Sequence, residues 1–434
     1  MFSTLANAWK IPELRKKLMF TLLMLLIYRI GNVIPVPFID AKAMADLFDT
    51  TLSQTILGLY NAMSGSAFSQ ASVLALGIQP YINASIIIQL LTVAIPALER
   101  LAKDGGEEGK KKIERITRYS TVGLGLLLGF AYYMMIRNQH IEMATGHVDL
   151  LTQKGFLPAA VIILAFTAGS CFVMWMGEQI TEFGIGNGIS MILFANIIAS
   201  LPGMVNTLFG AGVFSWWIAA IIAVVLLLLV VFIIFINDAE RRIPVQYAKR
   251  VVGRKVYGGQ NTNLPIKVAM SGVLPVIFAS SICSIPATIC AFMGITADSK
   301  HWWYDNVFSS TSWVYFAFYV LMIFFFSWFY STIQYDPTEI SNNLRKNGGF
   351  IPGFRPGKPT GDFIQNVINK IIVFGALYLA IVAGLPMVAA NLIKGFQYLA
   401  IGGTSIIIVV GVALETVKAL EAQMLMRHYK GFLD

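Results

Sequence analysis

From Phe214 to Ile236 the chain runs twenty-three residues without a charge. A helix rises about 1.5 Å per residue, so this run is long enough to cross the roughly 30 Å hydrocarbon core of a bilayer. Lipid offers the backbone no hydrogen bonds, and a lone spanning segment must therefore be helical. The whole chain shares the bias: 56% of its 434 residues are hydrophobic and 13% charged, where soluble domains carry about 25% charge. Apolar stretches of span length are read at roughly 18–36, 76–97, 119–136, 156–176, 185–201, 214–236, 268–293, 311–334, 363–386 and 398–417. The first follows Lys10, Arg15, Lys16 and Lys17 and is itself span-length, so it reads as a retained helix and not as a cleaved signal peptide.

Ten crossings put both termini on one side, and the basic residues sort accordingly. One side carries clusters before the first span, in 100–118, 241–267 and 345–358, and from Lys418 onward: twenty-five in all. The other side has five, Lys42, Arg137, Lys154, Lys300 and Lys394. Cytoplasmic loops hold the excess of Lys and Arg, so the N- and C-termini are read as cytoplasmic. The net charge of +9 is then mostly a signal of orientation and calls for no nucleic acid.

Two segments nearly half a chain apart share a pattern. GIQPYINASI at Gly77–Ile86 and GVLPVIFASS at Gly272–Ser281 align Gly77/Gly272, Pro80/Pro275, Ile82/Ile277, Ala84/Ala279 and Ser85/Ser280. A weaker echo relates GNGISMI at Gly186–Ile192 to GGTSIII at Gly402–Ile408, with Ser190 matching Ser405. Five spans per half is an odd number, so the second half must enter the bilayer from the opposite face, which makes the repeat inverted. The halves are read as 1–201 and 214–434, joined by an external hinge loop at 202–213.

One apolar stretch does not fit a crossing. Thr50 to Leu98 holds forty-nine residues without a charge, room for two spans, yet the basic clusters on either side require only one between residue 50 and Leu98. Residues 55–75 therefore lie on the external surface as a loop or dip into the membrane and return. Their middle, Asn61 to Ser72, is small and weakly polar; such backbone is tolerated at membrane depth only when buried in protein or lining a cavity.

Four long motifs are specific enough to name a family. GIQPYINASIIIQLLT at 77–92, GEQITEFGIGNGISMILFA at 177–195, RRIPVQYAKRVVGRKVYGG at 241–259 and GFIPGFRPGKPT at 349–360 resemble the SecY family of bacterial protein-translocation channels. The resemblance runs from the first span through Ile408. It implies an all-α polytopic membrane protein, ten transmembrane helices in two inverted five-helix halves around a central pore, with a re-entrant plug. It also implies a passive channel, not an enzyme, in the bacterial cytoplasmic (inner) membrane. That channel passes unfolded secretory polypeptides and releases signal sequences and transmembrane segments sideways into lipid. The partners so implied are the small membrane subunits SecE and SecG, the SecA motor ATPase, the ribosome through its large-subunit RNA, signal peptides and nascent chains, and the bilayer.

The same resemblance assigns residues. Ile78, Ile82, Ile189, Leu193, Ile277 and Ile408 correspond to the pore ring. Ile78 and Ile82, like Ile189 and Leu193, stand four apart and share a helix face. A ring that passes arbitrary polypeptides is best built of branched aliphatics, which offer no hydrogen bonds and exclude water when closed. Asn61, Ser64, Gly65, Ser66, Ser69 and Ser72 correspond to the plug, whose small side chains suit displacement without a large loss of apolar contact. Spans two and seven correspond to a lateral gate, with Asn83, Ser85, Gln89, Thr92, Ser280 and Ser281 as its polar residues, each equally readable as an ordinary interhelical contact. A weak polar contact across such a gate holds it shut by about 1 kcal/mol or less. An Asn often found in the family at the start of span seven is Ala269 here, which weakens any polar latch at that position.

Two cytoplasmic loops, 237–267 and 335–362, are longer and more basic than orientation requires. The first reads as a hairpin from Ile243 to Tyr257 bearing Arg241, Arg242, Lys249, Arg250, Arg254 and Lys255. The second is stiffened by Pro337, Pro352, Pro356 and Pro359 and presents Arg355. Basic protrusions suit the phosphates of ribosomal RNA and acidic patches on a motor, and the resemblance marks Arg355 as the most sensitive of them. Arg29, near the outer end of the first span, can snorkel to the interface and is assigned no function.

No cofactor is read. Cys171, Cys283 and Cys290 fall in apolar segments as small hydrophobes, the four histidines have no ligand spacing, and no G-x-x-x-x-G-K-[ST] run is present. The rival reading is an ion-coupled secondary transporter, which also uses inverted repeats but needs ionisable groups facing the bundle centre. The spans are read as offering none, and as lacking the His, Asp or Glu that a membrane-embedded enzyme would use.

Overall fold

The computed structural model describes residues 2–48, 61, 64–103, 105–138, 140–143, 146–210, 215–247, 250–252, 255–257, 261–270, 272–292, 312–393 and 403–430. Helices dominate them. In the first half these are α1 (Phe2–Lys10), α2 (Pro12–Gly31), α3 (Ala41–Leu47), α4 (Gln79–Ala94), α5 (Pro96–Lys103), α6 (Gly106–Asn138), α7 (Phe156–Phe183) and α8 (Gly188–Phe209). The second half holds α9 (Trp216–Asp238), α10 (Leu274–Phe292), α11 (Trp313–Gln334), α12 (Pro337–Lys346), α13 (Lys358–Leu392) and α14 (Gly403–Lys430). Seven of the described helices are long and apolar enough to cross a bilayer unaided. Each of the ten expected spans overlaps a helix. The other three are α2, which begins in a basic turn, α10, whose apolar part is short, and α4.

Helix boundaries moved where proline and glycine act. The first span starts earlier than expected, because Pro12 occupies the first helical turn, where its missing N–H costs nothing. It also ends earlier, at Gly31. Pro35 then pairs with Ser72 in an isolated antiparallel bridge. Pro96 ends the second span at Ala94 and turns α5 away by 105°. Conversely, Pro202 does not end the fifth span. α8 continues through it to Phe209, so most of the expected hinge loop is helix. Residues 211–213 of that loop lie outside the described residues.

The repeat is visible as backbone geometry. Gly77 and Gly272 both take a left-handed φ, +53° and +59°, and each precedes a helix by the same short turn, with Pro80 and Pro275 as the second helical residues of α4 and α10. Side-chain-bearing residues rarely adopt that φ, which explains the glycine. The weaker echo behaves alike. α8 starts at Gly188 and α14 at Gly403, and each glycine lies where a Cβ would collide with backbone of the preceding span, 2.0 Å from Gly177 O and 2.3 Å from Val382 O. In that register Leu193 and Ile408 are equivalent.

Outside the bundle the two long basic loops, 237–267 and 335–362, are one structure. The expected hairpin pairs further from its tip than Ile243–Tyr257. β3 (Glu240–Tyr247) runs antiparallel to β6 (Asn261–Lys267), while β4 (Arg250–Val252) and β5 (Lys255–Tyr257) form a small tip hairpin. The second loop adds β7 (Gly349–Phe350) to the free edge of β3. Alternation puts Ile243 and Val245 on one face of β3, packed with Ile266 and Ile351 against Ile364, Ile368 and Ile372 of α13. Sequence periodicity showed the hairpin but not its third strand, which is two residues long. A further short hairpin, β1 (His140–Met143) with β2 (Gly146–Asp149), connects α6 to α7.

Candidate functional site

The six expected ring residues come from four helices of both halves. Ile78 caps the N-terminus of α4, and Ile82 lies one turn in, with Ile86 continuing the same buried stripe. Ile189 and Leu193 open α8, Ile277 opens α10, and Ile408 lies in the second turn of α14. All six belong to one apolar cluster; five are buried and Ile189 is half-buried. Gly177 of α7 lets two of them approach, since a Cβ there would touch Ile78 Cδ1 at 3.5 Å and Ile189 Cγ1 at 3.6 Å. Helix α4 packs against α10, and α8 and α10 both pack against α14, so the two halves meet at these residues.

A cavity of about 220 Å³ opens on this junction. Asn187 and Ser190 of α8, Ile277 of α10, Tyr330 and Gln334 of α11, and Glu415 of α14 are among its walls. Glu415 corrects the reading that the spans contain no acidic residue. It stands two turns beyond Ile408, about 10 Å along the helix, on the side of the ring toward the C-terminus. The cavity is therefore a polar vestibule ending at an aliphatic wall.

On the other side of the ring lies the segment 61–72. Its residues are no surface loop: Ser64, Gly65, Ala67, Phe68, Ala71 and Ser72 are buried. The chain coils on itself, with Ser69 N donating to Asn61 Oδ1 at 2.9 Å and Phe68 N to Ser64 Oγ at 3.1 Å. Its small-residue character misled in one respect. Phe68 is 3% exposed, stacks on Tyr132 of α6 with ring centroids 4.4 Å apart, and its carbonyl accepts from the Tyr132 hydroxyl. Displacing the segment exposes a phenylalanine, worth about 1.5–3 kcal/mol in burial. Ser72 closes the coil, its N–H donating to Ala67 O at 3.1 Å, and also anchors it. The ladder Val36 N to Ala71 O and Val73 N to Ile34 O ties this end to the strand-like 34–36.

Arg29 has a partner that sequence reasoning missed. Its Nη1 donates to Gly65 O at 3.2 Å, and Asn32 Nδ2 donates to Ser64 O at 3.1 Å. Asn196 of α8 donates to the Tyr28 hydroxyl at 2.8 Å, bracing the same turn of α2. Gly65 sits inside this group with φ +66°, and a Cβ there would lie 2.6 Å from Arg29 Nη1 and 2.7 Å from Asn196 Oδ1. The available signal was the spacing of Tyr28, Arg29 and Asn32, three polar residues on one face of an otherwise apolar span end.

The expected gate residues lie on α4 and α10, which touch. Asn83, Ser85, Gln89 and Thr92 are half-buried; Ser280 and Ser281 are buried. Gln89 donates to Ser85, Thr92 to Ile88 O and Ser280 to Ile277 O, and all three bonds stay within their own helix. Ser281 Oγ is buried with no partner among the described residues.

On the sheet formed by β3, β6 and β7, Arg241 and Arg242 are exposed, and Arg242 Nε pairs with Glu240 Oε1 at 2.6 Å. Arg355 is exposed on a turn held from beneath: Thr360 Oγ1 donates to Arg355 O at 2.7 Å, Ser341 Oγ to Gly357 O at 2.7 Å, and Phe354 stacks on Phe363. β7 pairs antiparallel with the Gln246–Tyr247 end of β3, and the chain then runs through Ile351, packed with Ile243 and Val245, to the Arg355 turn. Lys249 and Arg254 lie outside the described residues, as do the side chains of Arg250 and Lys255.

Two helical halves meeting at an aliphatic constriction, with a vestibule on one side and a coiled segment on the other, define a polytopic membrane protein with the fold of the protein-conducting channels. The chain superposes on a solved protein-conducting channel with a TM-score of 0.66 at 18% identity, over 94% of this chain and 92% of that one. It also superposes on a structure devoted to the plug domain of the SecY protein, with a TM-score of 0.64 at 16% identity and the same coverage. The family is set by sequence: the SecY family profile matches residues 72–417. A protein translocase subunit SecY of Streptomyces coelicolor is 43% identical over 437 residues, covering all of both chains. One of Thermotoga maritima is 40% identical over all of this chain and 98% of its own. The chain belongs to the SecY family.

Proposed function

We propose that this protein is the channel through which unfolded secretory polypeptides cross the bacterial cytoplasmic membrane, with both termini cytoplasmic. The observation that carries the reading is the junction itself: aliphatic side chains from α4, α8, α10 and α14 share one cluster with a buried segment tied to α2. Such a wall binds nothing and excludes water when shut. Ile78, Ile82, Ile189, Leu193, Ile277 and Ile408 are the ring, and Asn61, Ser64, Gly65, Ser66 and Ser69 the displaceable plug, hinged at Ser72. The halves 1–201 and 214–434 part along α4 and α10, and the ten helices overlapping the expected spans are the ten crossings. SecE and SecG brace the bundle from outside. Arg241, Arg242, Lys249, Arg250, Arg254, Lys255 and Arg355 receive SecA or the ribosome.

The transporter alternative has one feature in its favour, Glu415. Its place in the vestibule, two turns from the ring, makes it a lining group and not a midplane ion site. Reconstitution into proteoliposomes with SecE, SecG, SecA and ATP separates the two. Protease-protected precursor protein is expected inside the vesicles. Uptake of a small solute driven by an ion gradient, without precursor, would establish the transporter instead.

A further inference from the structure

Helices α6 and α7 lie close together along most of their length because α6 presents glycines. A Cβ at Gly125 would lie 3.0 Å from Ser170 Oγ, and one at Gly129 would lie 3.2 Å from Ile163 O. Small residues spaced four apart let two spans approach in this way. Beside Gly129, toward the C-terminal end of α6, a groove of about 750 Å³ opens between them. Phe130, Tyr133 and Met134 form its α6 wall; Ala159, Ala160 and Ile163 form its α7 wall. Each set falls at three- and four-residue spacing, one helix face against another. The two alanines leave the space that larger side chains would fill.

The mouth of this apolar groove is cationic. Arg137 continues the α6 face by one turn, Lys154 precedes the first turn of α7, and both are exposed and line the opening. This face of the protein carries only five basic residues against twenty-five on the other, so the orientation rule works against placing cations here. Two of the five nevertheless converge on a single groove. The walls suit hydrocarbon, running about 10 Å from Phe130 to Arg137, and the mouth suits a negative charge at headgroup depth.

We propose that the groove between α6 and α7 is a binding site for an anionic phospholipid, its phosphate held between Arg137 and Lys154 and one acyl chain laid against Ala159 and Ala160. The leaflet, external by the topology given above, rests on that reading; the site itself does not. The test uses the full chain with its partner subunits in nanodiscs containing a trace of phosphatidylglycerol with a photoreactive acyl chain, followed by peptide mapping. Adducts are expected on 130–137 and 156–164, about thirtyfold above those from a matched phosphatidylcholine probe, the ratio that two cations near an anionic headgroup give together. Arg137→Gln with Lys154→Gln should erase the preference for the anionic probe, and Ala160→Trp should erase the adducts with both charges intact. The transport assay above checks the fold of each variant. Equal labelling by the two probes would reduce the groove to ordinary annular lipid and overturn the proposal. So would displacement of the probe by millimolar inorganic phosphate, or a crosslink from Ala160 to a membrane subunit in place of lipid.

Discussion

At the scale of single residues, the proposed plug is held by a few side chains around Gly65. The Arg29 guanidinium of α2 and the amide of Asn32, its C-cap, each hold one carbonyl of the coil, and a hydrogen bond from a charged donor contributes about 1.5–3 kcal/mol. Arg29→Gln should therefore raise the idle ion conductance of channels in a planar bilayer about tenfold or more. Gly65→Ala should do at least as much, because both its φ and its neighbours exclude a Cβ. Phe68→Ala removes a buried ring, a change of about 3 kcal/mol that corresponds to roughly a hundredfold in the open-to-closed ratio. Wild-type conductance in all three would refute the clamp. Little of this was legible beforehand. Composition marks 61–72 as small and polar, but a clamp made from backbone carbonyls leaves no pattern in the chain that supplies them. One aromatic among serines carries no signal of its own; the Tyr132 ring stacked on Phe68 is what gives it weight.

At the scale of elements, the proposed plug is the coil 61–70, which adjoins the Pro35–Ser72 bridge. Its deletion should leave a folded protein that leaks when idle, read as near-normal thermal unfolding together with a resting conductance; a tightly sealed deletant would contradict the plug assignment. The Arg355 turn is likewise a built element. Arg355→Glu should abolish activation of the SecA ATPase by precursor and channel. Thr360→Val leaves the charge in place but frees the Arg355 carbonyl, a loss of about 1 kcal/mol, and should weaken activation by severalfold. Activation unchanged in both would detach this turn from motor docking. The loops were legible as basic, ordered and proline-stiffened. Their union into one sheet was not, because Gly349–Phe350 is too short to show a strand period and its partner lies a hundred residues away. The expected gate residues fall on two helices that touch. The bonds formed by Gln89, Thr92 and Ser280 stay within their helices, so the α4–α10 contact is supported by apolar packing more than the sequence suggested.

At the scale of the whole molecule, the account rests on two inverted halves. Odd parity and the distribution of Lys and Arg follow from sequence because lipid imposes them on every residue of a span. The repeated Gly77 and Gly272 were also legible as a match, though not as what they are: the same left-handed turn starting two helices that then pack together. What the sequence left open is how four helix starts converge, since convergence depends on close approaches such as Gly177 and Gly403 whose partners are distant in the chain. The claim that polypeptide passes through this convergence is tested most directly by crosslinking. A photoreactive residue is placed in turn at Ile78, Ile277 and Ile408, with lipid-facing Leu227 as control, and each channel is loaded with a stalled secretory chain. The account predicts adducts to the chain from all three ring positions, which come from both halves, and none from Leu227. Adducts from one half alone, or from Leu227 as readily as from Ile277, would contradict it.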